Sequence, residues 1–156
     1  MLFTKLLAHR LFLLFITFIV TGIIGFLMVD ELHILLNHTD RAALMELKED
    51  EEGIAILIIG FGVLLEGRHI LQNWIAGEEI EASHTTHLCE YYGFMLLAVG
   101  LIIEMVYQLV SLVDNHTLSY WVEVLVNYPL NVYTMYLMIK VMFVLFDPKS
   151  DTEAAH

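Results

Sequence analysis

Residues 11–29 read LFLLFITFIVTGIIGFLMV, an uncharged run of 19 residues that decides the fold class. An apolar stretch of this length spans the hydrocarbon core of a bilayer as an α-helix. Asp30 and Glu31 follow the run directly, and no small-x-small cleavage motif stands at its end. We therefore predict a retained first span and not a cleaved signal peptide.

Three further apolar segments predict an all-α, integral membrane four-helix bundle whose spans run up, down, up and down. The chain has 156 residues, of which 58% are hydrophobic, and its mean hydropathy is +0.71. A soluble domain of this size could not bury so much apolar surface in one core. We predict a single transmembrane domain over residues 1–156, with spans at about 11–29, 53–76, 88–113 and 118–146.

The connections between the spans are predicted to be short. We expect an outer loop at residues 30–52, an inner turn at 77–87 and a C-terminal tail at 147–156. Five of the seven basic residues then lie on one side of the spans and two on the other, which predicts that both termini are cytoplasmic. The acidic residues 46–52 are interpreted as a solvated rim at the membrane edge; a cation-attracting vestibule is the alternative.

Charge and cysteine content limit the partners and the chemistry. The net charge of −12 argues against nucleic acid as a partner, because nucleic acids attract basic surfaces. The single cysteine, Cys89, excludes a disulfide within the chain and any Cys-rich metal site. No phosphate loop, dinucleotide fingerprint or nucleophile elbow is present in the sequence, so we favour a protein that is not an enzyme. The expected partners are the lipid bilayer and further membrane subunits.

Ionisable side chains inside the second and third spans predict a site. Glu66 and His69 share one helix face, as do His87 and Glu90, because each pair is three residues apart. The short turn between the spans makes them antiparallel neighbours, so the four side chains are expected to converge near the inner membrane face. Imidazole nitrogen and carboxylate oxygen suit zinc, iron or manganese.

The same residues allow two other interpretations. His69 and His87 could instead ligate the iron of a haem from two facing helices. Alternatively, these groups could neutralise one another in structural ion pairs and hydrogen bonds: Glu66 with Arg68 or Lys140, and Glu90 with His69 or His87. The sequence leaves a divalent metal, a haem and a purely structural role open.

Glu104 lies deep in the third span, apart from that group. We expect its carboxyl group to be hydrogen-bonded to Asn127 or Asn131 of the fourth span, where Pro129 predicts a kink. Alternatively, Glu104 and Glu66 could be successive stations of a proton or cation path.

Three classes of function follow from these interpretations. The first is a small polytopic membrane protein that acts as a homo-oligomer or as an accessory subunit of a membrane complex. The second is a redox protein that binds a metal or haem at the inner ends of the second and third spans. The third is a small cation channel or proton-coupled transporter.

Overall fold

The computed structural model describes residues 9–37, 41–77, 83–112 and 115–146, and these residues are helical apart from short connections. The predicted all-α class is therefore confirmed for the described part of the chain. The predicted C-terminal tail at residues 147–156 and residues 78–82 of the predicted inner turn lie outside the described residues.

Six α-helices and one π-helical turn follow one another in the described segments. In chain order they are α1 (Arg10–Asn37), α2 (Arg41–Glu66), α3 (Arg68–Ala76), α4 (His84–Ser111), α5 (His116–Val122), the π turn (Glu123–Asn127) and α6 (Tyr128–Phe146). The last three are continuous and form one long helix through residues 117–146. Ser83 caps the start of α4, because its side chain accepts a hydrogen bond from the backbone N–H of Thr86.

Three of the predicted spans are confirmed as helices long and apolar enough to cross a membrane. They cover residues 10–36, 84–111 and 117–146. The second predicted span differs, because α2 and α3 meet at Gly67 with a bend of 46° and qualify only when they are counted together. The charged sequence Glu66-Gly67-Arg68 interrupts the apolar run at this bend.

The predicted outer loop differs most from the structure. Residues 30–37 continue α1, and residues 41–52 form the first half of α2. Charge ends the apolar run at Asp30 without ending the helix, since Glu, Leu, Ala and Lys are strong helix formers. The segment 30–52 contains neither glycine nor proline, the two residues that most often break a helix.

The long helices pack in pairs around a buried core. α1 contacts α2 and α6, α4 also contacts α2 and α6, and the α2–α4 contact is the most extensive. The α1–α6 pair is antiparallel: Arg10 Nε donates to the backbone oxygen of Leu145 at one end, and Asn131 Nδ2 donates to Glu31 Oε2 near the other. The shared core is mostly apolar, with buried side chains that include Leu13, Ile24, Ile54, Ile58, Leu96, Ile103 and Met138.

Glycines bring the backbones of α2 and α4 together. A Cβ atom added to Gly93 would lie 2.7 Å from the backbone nitrogen of Glu66 and 2.8 Å from the carbonyl oxygen of Gly62. One added to Gly100 would lie 2.7 Å from Ile59 Cγ1. The two helices are antiparallel, because Gly93 faces Gly62 whereas Gly100, later on α4, faces Ile59, earlier on α2. This close packing determines which side chains of α2 and α4 lie at the same height along the bundle axis.

Candidate functional site: a buried carboxylate cluster

Two glutamates continue the buried faces of the helices that carry them. Glu31 is seven residues beyond the buried Ile24 on α1, and Glu51 is seven residues before the buried Ile58 on α2. Because seven residues are nearly two turns of helix, each glutamate lies on the inward face of its helix. The interior of the protein therefore ends in carboxyl groups where α1 meets α2.

The fourth long helix supplies a polar stripe to the same place. Glu123, Asn127 and Asn131 follow one another at intervals of four residues, and Thr134 comes three residues later. All four side chains are buried, with exposed fractions of 2% for Glu123 and 0% for the other three. A polar stripe inside an otherwise apolar core needs an explanation from its partners.

The π turn keeps this stripe straight. A step of four residues overshoots one turn of an α-helix by about 40° and falls short of a π-helical turn by about 30°. The step from Glu123 to Asn127 is π-helical and the step from Asn127 to Asn131 is mostly α-helical, so the two deviations nearly cancel. The Tyr128 N–H donates to the Glu123 carbonyl oxygen, five residues back, directly before Pro129. The widened turn lies where the sequence predicts a proline kink.

Glu31, Glu51 and Glu123 form what we call the carboxylate cluster. Each offers a carboxylate oxygen, and these three atoms all lie within 4.8 Å of one another. The exposed fractions of Glu31 and Glu51 are both 1%. The helices α1 and α2 and the π turn thus bring together residues that are 20 and 72 positions apart in the chain.

Two asparagine amides join the cluster. Asn131 Nδ2 donates to Glu51 Oε1 at 2.8 Å and to Glu31 Oε2 at 3.2 Å. Asn127 Nδ2 donates to Glu123 Oε2 at 2.8 Å. The amide nitrogens therefore compensate part of the negative charge, but they carry no positive charge of their own.

Several oxygens at the cluster have no hydrogen-bond partner among the described residues. These atoms are Glu31 Oε1, Glu51 Oε2, Asn127 Oδ1, Asn131 Oδ1 and Thr134 Oγ1. An unpartnered buried oxygen costs roughly 1–3 kcal/mol, more when it is charged. Five of them, at the cluster and on the polar stripe that continues from it, indicate that a further positively charged or hydrogen-donating species belongs there.

The polar side chains that the structure describes around Glu31 and Glu51 are acidic or uncharged. In the described part of the chain, no basic side chain forms an ion pair with Glu31 or Glu51. Asp50, the neighbour of Glu51 on α2, is half-buried. On α4, the register set by Gly100 and Ile59 places Glu104, Tyr107 and Gln108 at about this level.

Sequence reasoning missed this cluster because it assigned Glu31 and Glu51 to a solvated loop and did not single out Glu123. The signal was present in the spacing: Glu31 and Glu51 continue buried apolar faces, and Glu123 begins a stripe of amides at four-residue intervals. The missing inference was that α1 and α2 continue through the charged segment.

The structure brings three of the four predicted site residues together at the other end of the bundle, where the start of α3 meets the start of α4. The Nδ1 atoms of His69 and His87 lie 3.7 Å and 3.6 Å from the two carboxylate oxygens of Glu90. His69 and Glu90 thus lie at the same height along their two helices. Glu66 is exposed and shares an outward groove with Glu90 and Tyr91. We call His69, His87 and Glu90 the histidine cluster.

The other predicted residues have different partners from those expected. Glu104 Oε1 accepts from Gln108 Nε2 at 2.8 Å, whereas the amide nitrogens of Asn127 and Asn131 donate to the carboxylate cluster. Between Glu104 and the histidine cluster, the buried side chains of α4 are apolar. The proposed path through Glu104 and Glu66 gains no polar connection from the described residues.

Arg68 and Lys140, which were predicted to form ion pairs, have different environments. Arg68 is buried, and its Nη1 donates to Cys89 Sγ at 3.5 Å. Lys140 is exposed, with its ammonium group 5.4 Å from the centre of the Tyr136 ring. Neither forms an ion pair with Glu66 in the part of the chain that the structure describes.

In comparisons with known proteins, no family model, no curated protein and no solved structure matches this chain. Function is therefore inferred from the geometry of its own residues.

Proposed function

We propose that this chain is an integral membrane four-helix bundle that binds a cation at the carboxylate cluster. The bundle has four columns. The first is α1, the second is the bent pair formed by α2 and α3, the third is α4, and the fourth is the continuous helix from α5 to α6. The outward faces of the bundle support a lipid environment. Large apolar side chains such as Phe15, Phe26, Met105 and Phe143 are more than 60% exposed, which would be unfavourable in water.

The single observation that carries the proposal is the meeting of three buried carboxylates from three different segments of the chain. An ionised carboxylate away from water is costly unless a charge or several hydrogen bonds compensate it. Three of them within 4.8 Å also repel one another. A bound cation removes both penalties at once, and intramembrane acidic groups of this kind are typical of cation sites.

The site lies near one face of the membrane in this arrangement. Glu31 comes two residues after the uncharged run 11–29, and Glu51 comes two residues before Gly53, where the apolar half of α2 begins. With both termini cytoplasmic, as the basic residues predict, this is the outer face. The apolar core beyond Thr134 favours capture of a cation at this face over conduction through the bundle.

A thermal unfolding experiment on detergent-purified protein tests the proposal. After treatment with a chelator, the protein is titrated separately with Na⁺, K⁺, Mg²⁺, Ca²⁺, Mn²⁺ and Zn²⁺. At least one of these should raise the Tm, since a ligand that binds only the folded state stabilises it by about 2.7 kcal/mol at one hundred times its Kd. The increase should be lost in Glu51→Gln.

Glu52→Gln is the matched control, because Glu52 is the exposed neighbour of Glu51 and carries the same charge. It should retain the full increase in Tm. Equal responses of the two variants, or no response of the wild-type protein to any cation, would contradict the proposal.

The remaining interpretations stay predictions. A homo-oligomer or accessory subunit is compatible with the exposed apolar faces, and a metal or haem site at the histidine cluster is compatible with the two imidazoles at Glu90.

A further inference from the structure

We infer that the carboxylate cluster takes a hard divalent metal ion, of the class of Mg²⁺, Mn²⁺ and Ca²⁺, held by oxygen atoms alone. This assignment rests on the proposed cation site and names the ion that it selects. The cluster consists of glutamates, with no imidazole or thiol in the group. Carboxylate, amide carbonyl and hydroxyl oxygens suit hard cations, whereas zinc and copper prefer sites with nitrogen or sulfur ligands.

The distances fit such an ion. The metal–oxygen distance is about 2.1 Å for Mg²⁺ and about 2.4 Å for Ca²⁺, so opposite ligands in one coordination sphere lie about 4.2–4.8 Å apart. The three carboxylate oxygens already lie within 4.8 Å of one another. Small side-chain rotations would therefore suffice to place them around one ion.

The unpartnered oxygens complete the ligand set. Asn131 meets Glu31 and Glu51 through Nδ2, while its Oδ1 has no partner among the described residues. Rotation of the amide by half a turn exchanges these two atoms, which turns a donor to the carboxylates into a ligand for the metal. Thr134 Oγ1 lies one turn deeper on the same stripe, is fully buried and is also unpartnered. Glutamate, amide and hydroxyl oxygens together reach the six ligands that these ions require.

Charge favours a divalent over a monovalent ion. Up to three negative charges surround the site, and the described residues provide no basic partner for Glu31 or Glu51. The Coulomb attraction of a doubly charged ion to each carboxylate is twice that of Na⁺ or K⁺ at the same distance. Na⁺ and K⁺ are therefore expected to bind only weakly.

Electron paramagnetic resonance of Mn²⁺ tests the assignment on the full chain in detergent. The wild-type protein should bind one Mn²⁺ per chain at this site, and Ca²⁺ or Mg²⁺ should displace it while a hundredfold excess of Na⁺ should not. The spin-echo modulation of the bound ion should lack the signal of a coordinated imidazole nitrogen. Glu51→Gln should weaken binding roughly a hundredfold, as expected for loss of a charged partner at a buried site.

Thr134→Val provides a finer test because it removes one oxygen and keeps the shape of the side chain. It should weaken Mn²⁺ binding about fivefold, which corresponds to one neutral polar contact of about 1 kcal/mol. Thr17→Val is the matched control: Thr17 is equally buried, but its hydroxyl donates to the Leu13 carbonyl oxygen on α1, far from the cluster. It should leave Mn²⁺ affinity unchanged.

The outcomes separate this inference from the proposed function. If Na⁺ or K⁺ displaces Mn²⁺ as readily as Ca²⁺ does, or if only monovalent ions raise the Tm, the divalent assignment is overturned and the cation site stands. An imidazole signal together with full binding in Glu51→Gln would place the ion at the histidine cluster and overturn both.

Discussion

Glu51 and Glu52 are neighbours with the same side chain and opposite environments. Glu51 is 1% exposed, whereas Glu52 is exposed. The difference arises because successive helical residues point about 100° apart, so only one of the two follows the inward face that includes Ile54 and Ile58. At the scale of single residues, burial and not residue type distinguishes a candidate ligand from a solvated charge.

Glu51→Gln should stabilise the protein in the presence of a chelator. The substitution keeps the size of the side chain and removes one of three mutually repelling carboxyl groups, so we expect a gain of about 1 kcal/mol, or roughly 3 °C in Tm. Thermal unfolding in detergent with excess chelator measures this change. Glu52→Gln should lie within error of the wild-type protein, and a lower Tm for Glu51→Gln than for this control would contradict the expectation.

At the scale of elements, the closest helix contact is the one between α2 and α4. Gly62 and Gly93 allow the two backbones to touch, and the level of the histidine cluster follows from this contact. Glycine in a helix lowers helix propensity, so its presence here is compensated by the close approach it permits.

Gly93→Ala should destabilise the bundle by roughly 2 kcal/mol, because the new methyl group would meet backbone atoms of α2 that cannot move independently. Gly60→Ala is the control on α2: an added Cβ there would have no neighbour within 4 Å, so the change should be neutral or stabilising by up to about 1 kcal/mol. Unfolding in mixed detergent micelles compares the two variants. Equal stabilities would show that the α2–α4 contact is looser than described.

Two local irregularities of the helices, the bend between α2 and α3 and the π turn, lie at sequence positions that are unfavourable for a regular apolar helix. Charged residues interrupt the apolar run of the predicted second span, and the structure bends the chain by 46° at that position. The sequence also predicts a kink at Pro129, and the π turn lies directly before that residue. In both places the disturbance is local, so the residues that cause it are visible in the sequence.

At the scale of the whole molecule, α4 has 28 residues and is therefore about 42 Å long, enough to reach from one membrane face to the other. His84 and Ser111 are exposed at its two ends. In the proposed orientation, His84 lies on the cytoplasmic side and Ser111 on the outer side, near the carboxylate cluster.

Cysteine labelling tests this orientation in a Cys89→Ser background, which removes the only native thiol. A membrane-impermeant maleimide should label Ser111→Cys in intact cells, whereas His84→Cys should react only after permeabilisation. The reverse pattern would contradict the proposed orientation. Labelling of both positions in intact cells would contradict a span formed by α4.

The extent to which the sequence predicted the candidate sites differs between the two clusters. The short turn between their helices predicts that His69 and Glu90 converge, and the structure places His69 Nδ1 3.7 Å from Glu90 Oε1. The carboxylate cluster was not predicted, since Glu123 is 72 residues from Glu51 and no local pattern links them. Their approach depends on the register in which separate helices pack.

The sequence by itself determined that the chain is helical and that three long segments are apolar enough for a membrane. These are local properties, because run length and helix propensity act within a few turns of chain. Only the tertiary structure decided which charged residues face inward and which meet. That choice depends on the rotation and sliding of packed helices, and it converts three scattered glutamates into one cluster.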